Sequence, residues 1–195
     1  MAATGRSGSR RTTKRQAILD GTEQIMLTEG YGTVTYRSVA TAAGVAPGLV
    51  QYYFPTLEDL FSAVLRGATD RLIADLTDAT NSEQPLRAVW AYASNPTGSA
   101  LLLQFMALAN QLPGLGTVIG EGGERVRQTL VQALSKKWAD YGLADTDVTP
   151  AALLFLLSAI PRMMHLEESL GTVTGHTDTV ALVERFLDRV EPRSS

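Results

Sequence analysis

Cysteine is absent from this chain of 195 residues, so it holds neither a disulfide framework nor a thiolate metal site. Histidine is scarce. His165 and His176 stand alone and lack the i, i+4 spacing by which two histidines on one helix face hold zinc. Long apolar runs are missing too: the longest, 151–160, is interrupted by Ser158 and falls far short of the roughly 20 residues that span a bilayer. The N-terminus is basic, but no apolar stretch follows it, so no secretory signal is read there and the expected location is cytoplasmic, away from membranes. Strand-like alternation of useful length is absent. So are a Gly-x-Ser-x-Gly elbow and the Gly-Lys-Ser/Thr ending of a phosphate loop. The glycines of 114–123 read as a flexible connection between helices, and Glu121 with Glu124, like Glu167 with Glu168, as solvated helix faces. No catalytic constellation, cofactor site or metal site emerges, and an enzyme has no positive support.

What is present is apolar residues at helical spacing. The length of 195 residues accommodates a small domain and a mid-sized one, and the hydrophobic content of 45% supports a packed core. The periodicity predicts helices over 57–77, 85–93, 98–112, 120–141, 149–170 and 177–190, with loops at 78–84 and around Pro113-Gly114 and a kink at Pro161. Charge is split along the chain. Residues 1–54 hold six Lys/Arg against Asp20, Glu23 and Glu29, whereas the rest holds 11 Lys/Arg and 17 Asp/Glu. That is the footprint of a basic nucleic-acid module joined to an acidic body.

The stretch 33–60 says which module. Thr35 is placed to cap a helix whose apolar stripe is Val39, Ala40 and Ala43. Gly44 follows at the position where a left-handed backbone costs glycine nothing. Pro47 suits the first turn of a next helix, whose apolar face is Leu49, Val50, Tyr53 and Phe54. Pro55 ends it, and Thr56 with Asp59 opens another. Helix, glycine turn and helix in about 20 residues is the helix-turn-helix pattern, whose second helix enters the major groove.

Residues 13–65 resemble the DNA-binding domain of the TetR (tetracycline-repressor) family of bacterial regulators. The resemblance is carried by Ile18, Thr22, Ile25 and Met26, Gly30-Tyr31, Thr33-Val34-Thr35, Val39-Ala40, Ala42-Ala43-Gly44-Val45, Gly48, Tyr52-Tyr53-Phe54 and Leu60. The chain departs from it at three places. Ala46 stands where the family often has Ser, Gln51 where Tyr is frequent, and Leu57 where a phosphate-touching Lys is common. The implied fold is all-α, about nine helices in total. A disordered basic arm (1–11) precedes a three-helix DNA-binding domain (12–55) and a helical effector-binding and dimerisation domain (56–195). Ala46, Pro47, Gly48, Leu49 and Gln51 are expected at base edges, and Thr35, Arg37, Tyr52 and Tyr53 at phosphates. Arg10, Arg11, Lys14 and Arg15 are expected to add phosphate or minor-groove contacts.

The same resemblance implies a body that binds a small molecule among its middle helices and dimerises through its last two. Trp90, Gln104, Phe105, Asn110, Trp138, Phe155, Met163, Met164 and His165 could line a largely apolar cavity. The same aromatics and methionines could instead fill a core, although Met163 and Met164 beside Pro161 suit an irregular space. Their scarcity of charge favours an apolar or amphipathic effector. Leu153, Leu157, Val180, Val183, Phe186, Leu187 and Val190, together with Leu154, Leu156 and Ile160, exceed what one helix face needs, and an isologous dimer would bury them. The expected function is a sequence-specific regulator of a palindromic double-stranded operator, a repressor by default. The alternative is a helical ligand-binding or scaffold protein that no longer reads DNA.

Overall fold

The computed structural model describes residues 4–80, 83–143 and 146–192, without the side chains of 4–12 and 78–80. The described residues form helices and no strands: α1 (Thr4–Glu29), α2 (Tyr36–Ala43), α3 (Pro47–Tyr53), α4 (Leu57–Thr80), α5 (Pro85–Ala93), α6 (Pro96–Ala109), α7 (Pro113–Ser135), α8 (Pro150–Ser169) and α9 (His176–Val190). Short 3-10 turns lie at Tyr31–Thr33 and Trp138–Tyr141. No described helix is long and apolar enough to cross a membrane. The backbone of α1 begins at Thr4, well before the arm boundary expected at residue 12. No proline interrupts 4–12, and a formed helix propagates at one hydrogen bond per residue.

Two compact units result. One takes the chain to Ala68 together with Leu101–Glu121, and the other takes Thr69–Ala100 with Gly122–Ser195. The boundary expected at 55/56 thus differs from the observed division, because part of the middle of the chain packs with the N-terminal helices. In the first unit Ile18, Met26, Val39, Val50, Leu60, Phe105 and Leu115 are fully buried in one core. In the second, Leu86, Leu134, Leu154, Leu157 and Leu187 do the same. Each such side chain contributes roughly 1.5–3 kcal/mol relative to exposure.

The glycines of 114–123 are helical, not a flexible connection. Leu115 and Val118 are buried and carry the apolar spacing through the segment, and packing of that stripe overrides glycine's weak propensity. Two of these glycines are closely approached by side chains. A Cβ at Gly114 would displace the carboxylate end of Glu58, and one at Gly122 would stand 3.0 Å from Thr69 Oγ1. Helix α6 starts at Pro96 and stops at Ala109, where 98–112 was expected.

Glu191 fastens the second unit. It is buried. Its carboxylate accepts the first backbone N–H groups of α5, Leu86 N at 2.9 Å and Arg87 N at 2.9 Å, and the Tyr141 hydroxyl at 2.6 Å. Arg87 answers by donating Nε–H to the Glu191 carbonyl at 2.8 Å and pairing with Glu184 and Asp188. A carboxylate at a helix N-terminus meets the positive end of the dipole. Burial first, then the hydrogen bond to Glu191 and that residue's charge, push the Tyr141 hydroxyl far above the usual tyrosine range. The folded protein therefore keeps a proton that the unfolded chain releases near pH 10, and folding weakens as pH rises past about 10. In Tyr141→Phe that alkaline loss should shrink. Urea midpoints measured between about pH 9 and 11 should fall less steeply than in the parent, and equal slopes would show that Tyr141 ionises freely in the fold.

Candidate functional site

The first unit presents one face of α3. Thr35 caps α2: its Oγ1 accepts Ser38 N–H at 3.0 Å, while Ser38 Oγ accepts Thr35 N–H at 2.9 Å. The reciprocal pair satisfies two donors that an uncapped helix leaves open. Gly44 ends α2 at φ 63, ψ 37, and Val45 N–H reaches back to the Ala40 carbonyl at 2.9 Å. That 6→1 bond needs the left-handed residue. Then Ala46 precedes α3 with no side-chain cap, and Pro47 takes the first turn. Val50 and Phe54 are fully buried, whereas Ala46, Pro47, Gly48, Gln51 and Tyr52 are exposed; Leu49 and Tyr53 are half-buried. These five exposed residues are among those expected at base edges and phosphates. Leu49 and Tyr53 give part of their surface to the core, so they offer edges rather than whole side chains.

Other expected contacts are placed as follows. Arg37, Lys14 and Thr35 are exposed. Arg15 holds its guanidinium 5.2 Å from the centre of the Phe54 ring, a cation–π distance, beside the end of α3. The side chains of Arg10 and Arg11 lie outside the described residues. Leu57 packs against the core of the unit. The Thr56 and Asp59 pair does cap α4, with Asp59 N–H donating to Thr56 Oγ1 at 3.0 Å and Thr56 N–H to Asp59 Oδ2 at 3.1 Å.

Two side chains that fix this face carry no local signal. Tyr36 donates its hydroxyl to the Pro55 carbonyl at 2.8 Å, with the Phe54 carbonyl at 3.2 Å. This ties the start of α2 to the end of α3; burial, then Asp59, raise that hydroxyl's pKa. Gln104, expected in a ligand cavity, instead reaches from α6 to the end of α1. Its Nε2–H donates to the Met26 carbonyl at 2.7 Å, and its Oε1 accepts Tyr31 N–H at 3.0 Å. One amide thus serves the first N–H of the following turn and a carbonyl in the last turn of α1, which also accepts Gly30 N–H at 3.2 Å.

The second unit contains a cavity of about 280 Å³ lined by Trp90, Ser94, Pro161, Met164, His165 and Val180. Of the nine expected lining residues it gathers Trp90, Met164 and His165. Phe105 lies in the core of the first unit, and Asn110 is exposed just after α6. Trp138 packs against the core of the second unit with its ring edge-on to Tyr141 at 6.1 Å. Phe155 and Met163 are exposed, Phe155 under the Arg127 guanidinium at 5.3 Å. The expected interface residues need correction too. Leu153, Leu157, Val183 and Leu187 are buried in the chain's own core, and Val180, Phe186 and Val190 pack partly against it. The i, i+3, i+4 stripe cannot say whether a face meets the same chain or a copy.

Residues 18–64 match the family model described as bacterial regulatory proteins, tetR family. No curated protein matches this chain in sequence. A TetR transcription regulator from Haloarcula marismortui is similar in structure, with TM-score 0.71 and 20% identity over 92% of this chain and 98% of that one. A protein from Mesorhizobium loti assigned to the TetR family of transcriptional regulators gives TM-score 0.72 and 20% identity, over 92% and 93%. The multidrug binding protein EbrR, complexed with imidazole, gives TM-score 0.57 and 26% identity, over 80% and 86%.

Gln104→Leu removes both hydrogen bonds at the end of α1 and should destabilise the protein by about 1–3 kcal/mol. Urea unfolding reads it directly. An unchanged midpoint would mean that water replaces the amide at no cost.

Proposed function

We propose that this chain, whose residues 18–64 match the tetR family model and whose fold resembles that of TetR regulators, is a homodimeric repressor of that family, released from a palindromic operator by a small amphipathic effector. The observation that carries the reading is the outward face of α3. Ala46, Pro47, Gly48, Gln51 and Tyr52 are exposed together, on a helix whose two ends are fixed by the Gly44 turn and the Tyr36 hydroxyl. Gln51 is the side chain there with the two-pronged geometry that reads adenine. Tyr52 and Arg37 suit phosphates, which position a protein without specifying sequence.

The effector belongs in the cavity of the second unit, whose lining is mostly apolar with Ser94 and His165 as its polar members. A ligand there lowers DNA affinity only by its differential affinity for two conformations. Two reading helices about 34–36 Å apart match successive major grooves, and a ligand that favours another spacing releases the operator.

Dimerisation uses side chains that the chain itself leaves uncovered. On α8 and its cap, Leu156, Met163 and Leu170 recur every seven residues and are 52%, 55% and 75% exposed; Leu182 on α9 is 62% exposed. A seven-residue spacing keeps them on one helix face, and an isologous contact between two copies buries that face twice. Leu156→Asp with Leu182→Asp should leave the fold intact, since both sites are open to water, and weaken dimerisation by roughly 3–5 kcal/mol through charges stranded at the interface. Sedimentation velocity should then show monomer. A dimer as tight as the parent's would place the interface elsewhere.

Selection of binding sites from random duplex DNA, followed by gel-shift titration, tests the DNA reading. A twofold-symmetric sequence should be enriched. Gln51→Ala should weaken binding by about 1–3 kcal/mol and relax preference at one base pair per half-site. Tyr52→Phe should weaken all sequences alike. No enrichment at low salt would favour the ligand-binding or scaffold protein, to which Leu57 in the core and the uncapped Ala46 would then be witnesses.

A further inference from the structure

One face of α8 gathers positive charge. Phe155, Ser158 and Arg162 follow one another at i, i+3 and i+7 along the helix, so they share that face. The Phe155 ring is 51% exposed. The Arg127 guanidinium of α7 stands 5.3 Å from the centre of that ring, a cation–π distance. Long side chains on a helix lean back toward its N-terminus, which directs Arg162 toward the same ring. Arg162 is half-buried, whereas Arg127 is exposed. All these residues belong to the second unit. None of them lines the cavity bounded by Trp90 and Val180.

No carboxylate answers the two guanidiniums. Among the described residues the ion pairs of arginine are those of Arg87 and Arg125, and neither Arg127 nor Arg162 has one. Their neighbourhood is positive as well. Burial first, then the charge of Arg127, lowers the Arg162 pKa, and Tyr92 of α5 opposes them. Burial and then Asp75 raise the Tyr92 hydroxyl, against Arg162 and Arg71. The charged groups acting on these two residues are therefore three guanidiniums and one carboxylate. A half-buried cation without a counter-charge is costly, and a like charge beside it adds to the cost. An anion offsets both. The guanidinium fork matches the paired oxygens of a carboxylate or a phosphate. Beside it Tyr92 is 39% exposed, so two aromatic side chains stand open next to the charge.

We propose that Arg127 and Arg162 form a site for a small organic oxyanion, a carboxylate or a phosphate monoester, whose apolar body lies against Phe155 and Tyr92. Arg162 supplies the less hydrated charge. Arg127 closes over the anion from α7 while its flat face keeps the Phe155 ring. The site is separate from the effector cavity and does not depend on the reading of that cavity.

The test is isothermal titration of the full-length protein near neutral pH with four probes that share a phenyl ring: 3-phenylpropionate, 2-phenylethyl phosphate, 3-phenyl-1-propanol and phenethylamine. At least one of the anions should bind about tenfold or more tighter than the alcohol, the worth of one charged hydrogen bond, and the amine should be weaker than the alcohol. The tighter of the two anions tells carboxylate from phosphate. Arg162→Met and Arg127→Met each keep an unbranched side chain without the charge. Each should lose about tenfold or more in affinity for that anion and leave binding of the alcohol unchanged. Arg162→Met should also melt no lower than the parent, because it removes a cation that the fold leaves without a counter-charge. No saturable binding of either anion would overturn the proposal, as would an alcohol or amine that binds as tightly as both. Undiminished anion binding by both variants would overturn it too. A marked drop in the melting temperature of Arg162→Met would overturn the assignment of Arg162 by showing that the fold itself uses its charge.

Discussion

Short helices expose a large share of their backbone at their ends, and the structure depends on distant side chains reaching those ends. Each helix leaves up to four N–H groups and four carbonyls without an internal partner. Here several are served across long stretches of sequence. Gln104 meets the end of α1, Tyr36 the end of α3, Glu191 the start of α5 and His165 the Ser94 carbonyl at the end of α5. Local caps are built at Thr35, Thr56 and Thr149. The local caps define where helices begin. The distant ones define which helices lie beside each other, because a hydrogen bond at 2.7–3.1 Å tolerates little displacement.

This division of labour explains the reading face. A seven-residue helix is too short to be stable alone. Helix α3 is held by Val50 and Phe54 on its inner side, by the Gly44 turn at one end and by the Tyr36 hydroxyl at the other. Its outer side stays exposed at Pro47, Gly48, Gln51 and Tyr52, where the Tyr52 ring stands edge-on to Tyr53 at 5.5 Å.

The second unit uses similar means for another end. The Glu191 carboxylate is buried with three donors on it, so its charge is compensated. The Glu168 carboxylate, half-exposed, lies 3.3 Å from His165 Nδ1 and 3.6 Å from His176 Nδ1. One carboxylate is enclosed by the fold and the other stays at its surface.

Much of this was legible in the residues before any coordinates. Thr35, Gly44, Pro47 and Thr56 each have a local conformational preference strong enough to place a helix end, so the helix-turn-helix and its outward residues follow from sequence. The helix over 85–93 follows in the same way, from Pro85 and the polar residues after Ala93. Tertiary structure decided the rest. Glycines 114–123 became helix because Leu115 and Val118 had a core to enter. Gln104 became a clamp because α6 passes the end of α1. Leu153, Leu157, Val183 and Leu187 went inward while Leu156, Met163 and Leu182 stayed outside, and Val180 turned to a cavity. Local preferences act over one or two turns of chain and are written in the residues themselves. Which partner an apolar face or a polar side chain meets is a property of the packed whole, and a stripe of leucines looks the same whichever surface it covers.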